Sequence, residues 1–531
     1  MKTVRRYVLL LLLLLTVGRV EAQFGNMRAE YERFVQQQRK SYDEFLERAN
    51  RDFAEFLKQS WSSYQLREAE EAPIPDVMPT APVAPLPERV TPRPQPEPTI
   101  PEPTLPDLTL PEPTIPEPTP DVPMPVPAPA PRPTPAPAPR PAPAPAPVPR
   151  PTPAPVSKPV SDYNGSRVAV DFFGEQLLFA CEKRSMPRLG GVDENGFSAI
   201  WSAFSRCTER MVGELSRQIE DFGLNGWGCY QLVKKTSEAL YDESRSNERI
   251  ALQAYLLSQL KYRAQVATSG NALVLLLPFK EQVYSVPYLE LDGIRYYIYS
   301  YGHHRSAGYR TYDNKFSYAT KQLSLHMDGR MKIGEKKQVP FERFSARAGV
   351  EVSAPMRLGN LALMYYYPIV DNQLYYRQQL DEEFAEAILS PLRARVRGMS
   401  NKEAVAWLLD LVQHGFDYVT DDEAFGRQKQ LFIEESFFFG RNNCKDRVGV
   451  FSYLVKELVG LPVIAVRFKG NAESNGVAHI ACAVAFDEEV AGDSFMHRGR
   501  RYVMCDPTYI NATIGQTMPC YAASPGVIVA L

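Results

Sequence analysis

The chain has 531 residues, a formal net charge of -2 at pH 7 and 44% hydrophobic residues. This length is enough for two or three domains, and a net charge near zero gives no electrostatic reason to expect a nucleic-acid partner. The six histidines and seven cysteines show no ligand-like spacing, so we expect no metal and no other cofactor. The chain has no phosphate-binding glycine loop and no Gly-x-Ser-x-Gly motif, so a serine hydrolase is disfavoured.

Residues 1–22 have the pattern of a secretory signal peptide. Basic residues precede an apolar run at residues 8–15, and Val20-Glu21-Ala22 is the expected cleavage site. The apolar run is too short to span a membrane, and the sequence offers no other candidate. We therefore expect an exported protein, secreted or periplasmic, with no transmembrane span in its mature form.

Residues 23–71 are predicted to form an amphipathic helix. Aromatic side chains recur at close to helical spacing from Tyr31 to Trp61, with charged side chains between them. A lone helix cannot bury such a stripe, so the stripe needs a partner. The partner is a second copy in a coiled coil, the distant C-terminal region or another envelope component, and we favour self-association.

Residues 72–160 hold 36 of the 47 prolines and are predicted to be a linker. Proline at alternate positions favours extended polyproline II, which has no hydrogen-bonded core. The functional interpretation is a spacer that holds the C-terminal part of the chain far from the N-terminal helix. The alternative is a passive tether with no partner.

Two further regions separate the linker from the C-terminal region. Residues 161–301 are predicted to form an α+β domain, because helix patterns are followed by apolar strand patterns. Residues 302–395 are predicted to form a β-rich domain, an antiparallel sheet or a small sandwich. Short alternating runs at 323–327 and 361–366, separated by turn residues, carry that prediction.

Residues 396–531 contain a helix signal at Ser400, where Ser400 and Glu403 have the spacing of a capping box. A second helix pattern begins at Cys444, after the N-cap residue Asn443. His479 begins an apolar strand pattern. Asp506 follows another strand pattern, so the residues occur in the order Cys, His, Asp.

These three residue types suit nucleophilic acyl transfer. A thiol attacks a carbonyl as the thiolate, which the positive end of a helix beginning at Cys444 would stabilise. His479 would take the proton and Asp506 would orient the imidazole. A developing oxyanion could bind the free N–H groups of the helix, Asn442 or a side chain of the loop 420–441, and the sequence does not choose among them.

The ordered set resembles the transglutaminase-like superfamily of papain-like thiol enzymes. The matching residues are Cys444 with Asp446-Arg447, Gly460-Leu461-Pro462, His479 and Asp506-Pro507-Thr508. With Asp417-Tyr418 and residues 432–439 added, the region is similar to the secreted transglutaminase-like proteins of Bacteroidetes-type bacteria.

The resemblance runs from about Ser400 to the C-terminus, and it implies a fold as well as a chemistry. The implied fold class is α+β, a cysteine-protease-like core in which the nucleophile helix packs on an antiparallel sheet. The implied triad is Cys444, His479 and Asp506. The implied activity is acyl transfer from an amide of a peptide or protein substrate to water or to an amine. Cell-wall peptides are among the substrates considered.

The segment from Ser246 repeats the pattern of the segment from Cys444. In each, an acid-Arg pair opens an apolar helix pattern, and two strand patterns follow. Ser246, Ala272 and Ser300 occupy the three catalytic positions, so this copy would lack an imidazole and serve as a structural or substrate-holding lobe. The alternative is a coincidence between two ordinary helix-strand-strand patterns.

The odd number of cysteines leaves one thiol free if the others pair, and Cys444 is the natural candidate. Cys482 and Cys505 lie at odd offsets from His479 and Asp506 on their strands. Odd offsets place side chains on opposite faces, so both thiols should point away from the triad. We interpret them as two buried free thiols rather than a disulfide.

Three functions remain open. The first is a thiol peptidase or amidase, and the second is a transglutaminase that joins glutamine to an amine. Both form a thioester acyl-enzyme, so the triad does not separate them. The third is a non-enzymatic envelope scaffold or binding protein with a relic site.

Overall fold

The computed structural model describes residues 44–72, 78, 80–85, 165–301, 308–313 and 316–531, together with the isolated helical positions 33, 37 and 40. All described residues except Pro85 belong to one unit of the chain. The predicted signal peptide, residues 1–22, and most of the predicted linker, residues 86–160, lie outside the described residues.

The fold is mixed, with helices and antiparallel sheets. The helices are α1, residues 44–57; α2, Glu194–Cys207; α3, Glu209–Asp221; α4, Gly226–Leu240; α5, Ser246–Gln259; α6, Glu342–Ala348; α7, Leu358–Tyr365; α8, Asn372–Tyr376; α9, Glu382–Val396; α10, Asn401–Gly415; α11, Asp421–Phe425; α12, Ile433–Phe439; and α13, Cys444–Val459. The strands are β1, Ser62–Tyr64; β2, Arg167–Phe172; β3, Glu175–Ala180; β4, Gln265–Ser269; β5, Ala272–Pro278; β6, Tyr288–Leu291; β7, Ile294–Tyr299; β8, Tyr309–Thr311; β9, Lys336–Pro340; β10, Ser353–Arg357; β11, Asp417–Tyr418; β12, Arg441–Asn442; β13, Val463–Phe468; β14, His479–Val484; β15, Ser494–His497; β16, Arg500–Cys505; and β17, Val527–Ala530.

The C-terminal module consists of α10, α13 and a five-stranded antiparallel sheet in the order β15-β16-β14-β13-β17. The α13 helix packs on β13 and β14 and ends at Gly460, whose φ of 78° suits glycine at a helix C-terminus. Val448, Phe451 and Val455 are completely buried on this helix. Burial of each such side chain stabilises the fold by roughly 1.5–3 kcal/mol.

The N-terminal module consists of α4, α5 and a six-stranded sheet in the order β1-β8-β4-β5-β7-β6. Apart from the extra edge strand β1, this order matches that of the C-terminal module strand for strand. In each module the first two strands after the main helix pair with each other: β4 with β5, and β13 with β14. The fourth strand then pairs with both the second and the third: β7 with β5 and β6, and β16 with β14 and β15. A fifth strand pairs with the first: β8 with β4, and β17 with β13.

An arginine near the start of the main helix ties each module together in the same way. Arg249 Nε donates to the carbonyl of Tyr241, which follows α4, at 3.0 Å. Arg447 Nη2 donates to the carbonyl of Phe416, which follows α10, at 2.9 Å. The helix holding Arg249 packs on β5, while common ancestry of the modules stays a hypothesis.

The aromatic stripe of α1 is covered by the same chain. Phe53 packs against the rings of Trp201, Tyr312 and Phe316, and the side chain of Asn50 bonds to Gln259. The described part of the stripe therefore has an intrachain partner and gives no support to self-association. The helix also ends earlier than predicted, at residue 57, and β1 follows it.

The prediction of a β-rich domain at residues 302–395 is wrong for most of its length. The run 361–366, predicted as a strand, lies almost wholly in α7, and α8 and α9 follow it. Leu361, Leu363 and Met364 are all buried. In an apolar run that is buried on more than one side, the spacing of apolar residues does not distinguish a strand from a helix. Leu, Ala and Met have high helix propensity, which agrees with the helix that forms here.

Two properties of the described ranges bear on function. No helix in them is long and apolar enough to cross a membrane. They also hold no group of three or more His, Cys, Asp or Glu side chains that could bind a metal ion.

Candidate active site

The first residue of α13 is Cys444, as the capping pattern predicts. The carboxylate of Asp446 accepts the backbone N–H of Asn443 at 3.1 Å and that of Leu431 at 2.8 Å. Burial raises the pKa of Asp446 to about 6, against the opposing charge of Lys445. Asp446 therefore fixes the chain on both sides of the turn that presents the thiol.

His479 and Asp506 are in direct contact. His479 is the first residue of β14, and its Nε2 lies 2.8 Å from Asp506 Oδ2. Asp506 follows β16, and its other oxygen accepts the backbone N–H groups of Thr508 at 2.9 Å and Tyr509 at 3.2 Å. With Nε2 held by the carboxylate, Nδ1 of the imidazole is the nitrogen left to exchange a proton with a thiol.

The buried imidazole is held in its protonated form by its neighbours. Burial alone would lower the pKa of His479, but Asp506, through its charge and its hydrogen bond, and Cys444 raise that pKa to about 10. All three residues are almost fully buried. Since little water reaches these groups, the protonated imidazole is stabilised by its neighbours rather than by solvent.

Aromatic rings shield the imidazole. The ring of Tyr521 lies nearly parallel to that of His479, with centroids 5.5 Å apart, and Phe468 lies parallel at 6.5 Å. The Tyr521 hydroxyl donates to the carbonyl of Val477 at 2.8 Å, which fixes the ring. The orientation of the imidazole is therefore set by packing as well as by Asp506.

Asn442 sits two residues before Cys444 in β12 and is buried. Its Oδ1 accepts Arg447 Nε at 2.9 Å, which fixes the orientation of the amide. Its Nδ2 makes no hydrogen bond with any described residue. An unused buried donor carries a desolvation cost, so this position suits a group that will accept a bond during a reaction.

Among the side chains of the loop 420–441 that were candidates for binding an oxyanion, Glu434 and Glu435 are buried in the core. Glu435 pairs with the buried Lys429 at 2.8 Å, and Glu434 accepts the side chain of Gln378 at 2.7 Å. Burial raises the pKa of Glu434 to about 7. The phenylalanine Phe437 of the same helix also packs inward, so α12 is a structural support of the site.

Gln413 is a site residue that the sequence analysis missed. Its Nε2 donates to the carbonyls of Asp506, Tyr509 and Ala512, at 3.0, 2.9 and 3.0 Å. It therefore holds the loop that carries the triad carboxylate against α10. A glutamine among the apolar positions Leu409 and Val412 was the available signal.

Arg447 joins three parts of the site. Its guanidinium donates to the carbonyls of Gln413 at 3.2 Å and Pro507 at 3.4 Å, besides its bonds to Phe416 and Asn442. The residue is completely buried, and this burial lowers its pKa to about 10. Because the bonds span α10, α13 and the Asp506 loop, Arg447 sets the distance between the elements that carry the triad.

A buried ion pair completes the support of the helix start. Lys445 Nζ bonds to both oxygens of Asp421 at 2.8 Å, and the side chain of Asn443 donates to Asp421 at 2.7 Å. Burial would lower the pKa of Lys445, but Asp446 and Asp421 raise it. The pair keeps a positive charge one residue from Cys444.

All seven cysteines, each within the described residues, are free thiols. Cys482 and Cys505 are neighbours on β14 and β16, and both are buried. The prediction that the two thiols point away from the triad needs one correction. The side of the sheet on which Cys482 lies is covered by α13, the helix that begins at Cys444, and Cys482 Sγ is 3.8 Å from the carbonyl of Val448. Helix α13 thus covers Cys482, while His479 packs with Phe468 and Tyr521.

Comparisons with known proteins leave the geometry as the guide to function. No family model matches the chain, and searches of curated proteins and of solved structures also find no match.

Proposed function

We propose that the protein is an exported, thiol-dependent acyl-transfer enzyme with a transglutaminase-like core, acting on an amide of a peptide or protein substrate. Cys444 is the nucleophile, His479 the general base and acid, and Asp506 the group that orients the imidazole. The observation that carries the proposal is the 2.8 Å contact between the His479 imidazole and the Asp506 carboxylate, on a strand that packs against the helix beginning at Cys444.

The chemistry follows from these positions. The Cys444 thiolate attacks the amide carbon, a C–S bond forms, and the carbonyl oxygen becomes an oxyanion. The Asn442 Nδ2, which makes no hydrogen bond with any described residue, and the backbone N–H groups at the start of α13 would donate to this oxyanion. His479 then gives its proton to the leaving amine, the C–N bond breaks, and a thioester remains.

The thioester has two fates. Water attacks the thioester, His479 accepts its proton, and the C–S bond breaks to release a carboxylic acid. An amine that attacks instead gives a new amide and again returns the thiol. We propose hydrolysis first, with cell-wall peptides among the candidate substrates, because water needs no binding pocket of its own.

The alternative is an envelope scaffold with a relic site. One observation favours it: the described triad is closed, with Cys444, His479 and Asp506 each exposed by only 1–2%. An enzyme with this arrangement must open before a substrate can reach the thiol.

A peptide screen separates the two functions. Purified protein is incubated with a peptide library, with and without a primary amine, and products are read by mass spectrometry. Cys444→Ala should abolish product formation, whereas Cys482→Ala, which removes another buried thiol, should keep it. Activity that survives Cys444→Ala, or no product at all from the open form described below, would favour the scaffold.

A further inference from the structure

A short piece of the predicted linker is bound to the C-terminal module. We call it the strap; it consists of Met78 and residues 80–84. The N–H of Ala84 donates to the carbonyl of Ile510 at 2.7 Å, and the N–H of Ile510 donates to the carbonyl of Pro82 at 2.8 Å. Val83 and Ile510 form a parallel β-bridge. The strap is therefore bound as an extended peptide through its main chain.

The strap has one side chain directed inward and one outward. Ala84 is 4% exposed and lies in a cluster with Tyr509 and Tyr521, whereas Val83 is 61% exposed. Alternation of this kind is what an extended segment shows when it is added to the edge of a folded surface. The inward position is small, so it accepts alanine and would exclude a long charged side chain.

The surface under the strap belongs to the site. Ile510 follows Tyr509, whose N–H bonds to the triad carboxylate, and Tyr521 stacks on the imidazole. At the other end, the Tyr418 hydroxyl donates to the carbonyl of Met78 at 2.9 Å. Tyr418 lies under the guanidinium of Arg447 at 5.6 Å.

Tyr418 is also close to the thiol. It pairs with Asn442 across β11 and β12, and Asn442 lies two residues before Cys444. The strap thus bonds to a residue beside the nucleophile at one end and to the loop after the triad carboxylate at the other. Both anchors bond to main-chain atoms of the strap, and many peptide sequences can supply such atoms.

We propose that the surface between Tyr418 and Ile510 is a peptide-binding groove of the Cys444 site, and that the strap occupies it and keeps the site closed. The ligand that displaces the strap is an extended, uncharged peptide with a small apolar residue at the position of Ala84. The proposal rests on the proposed function for the identity of this ligand as substrate, but occupancy of the groove is testable without catalysis.

The test compares Ala84→Arg with Val83→Arg in the full chain. The rate of Cys444 alkylation by iodoacetamide is measured by mass spectrometry of the Cys444 peptide. Ala84→Arg should label at least about tenfold faster, because the thiol reacts only in the fraction of molecules whose groove is empty. Val83→Arg adds the same charge to an exposed side chain and should label like the unmodified protein.

A peptide supplies the reverse experiment. Acetylated Met-Pro-Thr-Ala-Pro-Val-Ala, the sequence of residues 78–84, is added to the Ala84→Arg protein and should restore slow labelling. The same peptide ending in Arg should not. Its binding to the Ala84→Arg, Cys444→Ala double variant, followed by calorimetry, is independent of any reaction.

A second, milder variant keeps the proposal testable if Ala84→Arg fails to fold. Tyr418→Phe removes only the bond to Met78, and it should accelerate labelling by a few-fold with an unchanged melting temperature. Equal labelling rates in the unmodified protein, Ala84→Arg and Tyr418→Phe would overturn the strap proposal. Faster labelling of Ala84→Arg with no peptide cleaved would keep the strap and overturn the enzymatic function.

Discussion

Gln413 donates its side-chain amide to the backbone carbonyl of Asp506 across 3.0 Å, so the residue whose carboxylate bonds to His479 is itself anchored to α10. The same amide nitrogen also serves two further carbonyls of the loop. One side chain therefore controls the position of the whole segment after β16, and the first prediction follows from it.

Gln413→Leu should lower the free energy of unfolding by about 2–4 kcal/mol, because it leaves several buried carbonyls without a donor. It should also reduce kcat for peptide cleavage more than it raises KM, since the orientation of the imidazole is lost. Gln338→Leu changes an exposed glutamine on β9 and should alter stability by less than about 0.5 kcal/mol. An unchanged kcat in Gln413→Leu would show that the loop keeps its position without this anchor.

Asn442→Asp tests the oxyanion donor. The substitution keeps the oxygen that accepts Arg447 Nε and removes the unused N–H group. We expect kcat to fall by about 10²–10³-fold, the usual effect of losing one oxyanion-hole donor. Alkylation of Cys444, measured in the Ala84→Arg background, should stay within a few-fold, because alkylation by iodoacetamide forms no oxyanion. Loss of both together would instead indicate a disturbed helix start.

The pH dependence of stability should report the charge of His479. Its pKa in the folded chain is raised to about 10, above the ordinary value of 6.5. Protonation therefore favours the folded state: this contribution is complete below about pH 6.5 and is lost as the pH rises toward 10. The difference in unfolding free energy between the unmodified protein and His479→Gln should shrink across that window.

Asp506→Asn is the matched control for this titration. It removes the charge that raises the pKa of His479 while keeping a similar side-chain volume. In that background the window should move to lower pH. A stability difference that is constant from pH 6.5 to 10 would contradict a protonated imidazole in the folded site.

The paired arginines allow one module to serve as the control for the other. Arg447→Met and Arg249→Met each remove a helix-anchoring guanidinium, and each should destabilise the chain by more than about 2 kcal/mol in urea unfolding. Only Arg447→Met should reduce peptide cleavage per folded molecule, because only the C-terminal module carries the triad. An equal loss of activity from Arg249→Met would mean that the N-terminal module contributes to the reaction.

The positions of Cys444, His479 and Asp506 could be read from the sequence because each marks a local boundary. Cys444 begins a helix with a capping pattern, His479 begins a strand, and Asp506 ends one. Local signals place such residues well even without knowledge of the tertiary fold. The repeat was recognisable for the same reason, because Ser246 and Ala272 also begin their elements.

The rest depended on contacts between distant parts of the chain. Nothing local in α1 tells which surface covers Phe53, and nothing in the run 361–366 decides between a strand and a helix once both of its sides are buried. The role of Gln413 exists only because a loop almost a hundred residues later comes to rest on α10. The strap was hidden by composition, since Pro82 and Ala84 look like the rest of a proline-rich tract.

The order of attachment along the N-terminal segment has a consequence for proteolysis. Helix α1 is held by the N-terminal module and the strap by the C-terminal module, and both precede the proline-rich tract. A single cut by a protease between residues 86 and 160 would therefore not free the strap. The two fragments should co-elute in gel filtration and separate only in denaturant. Release of the strap from such a cleaved protein would require a second cut upstream of Met78.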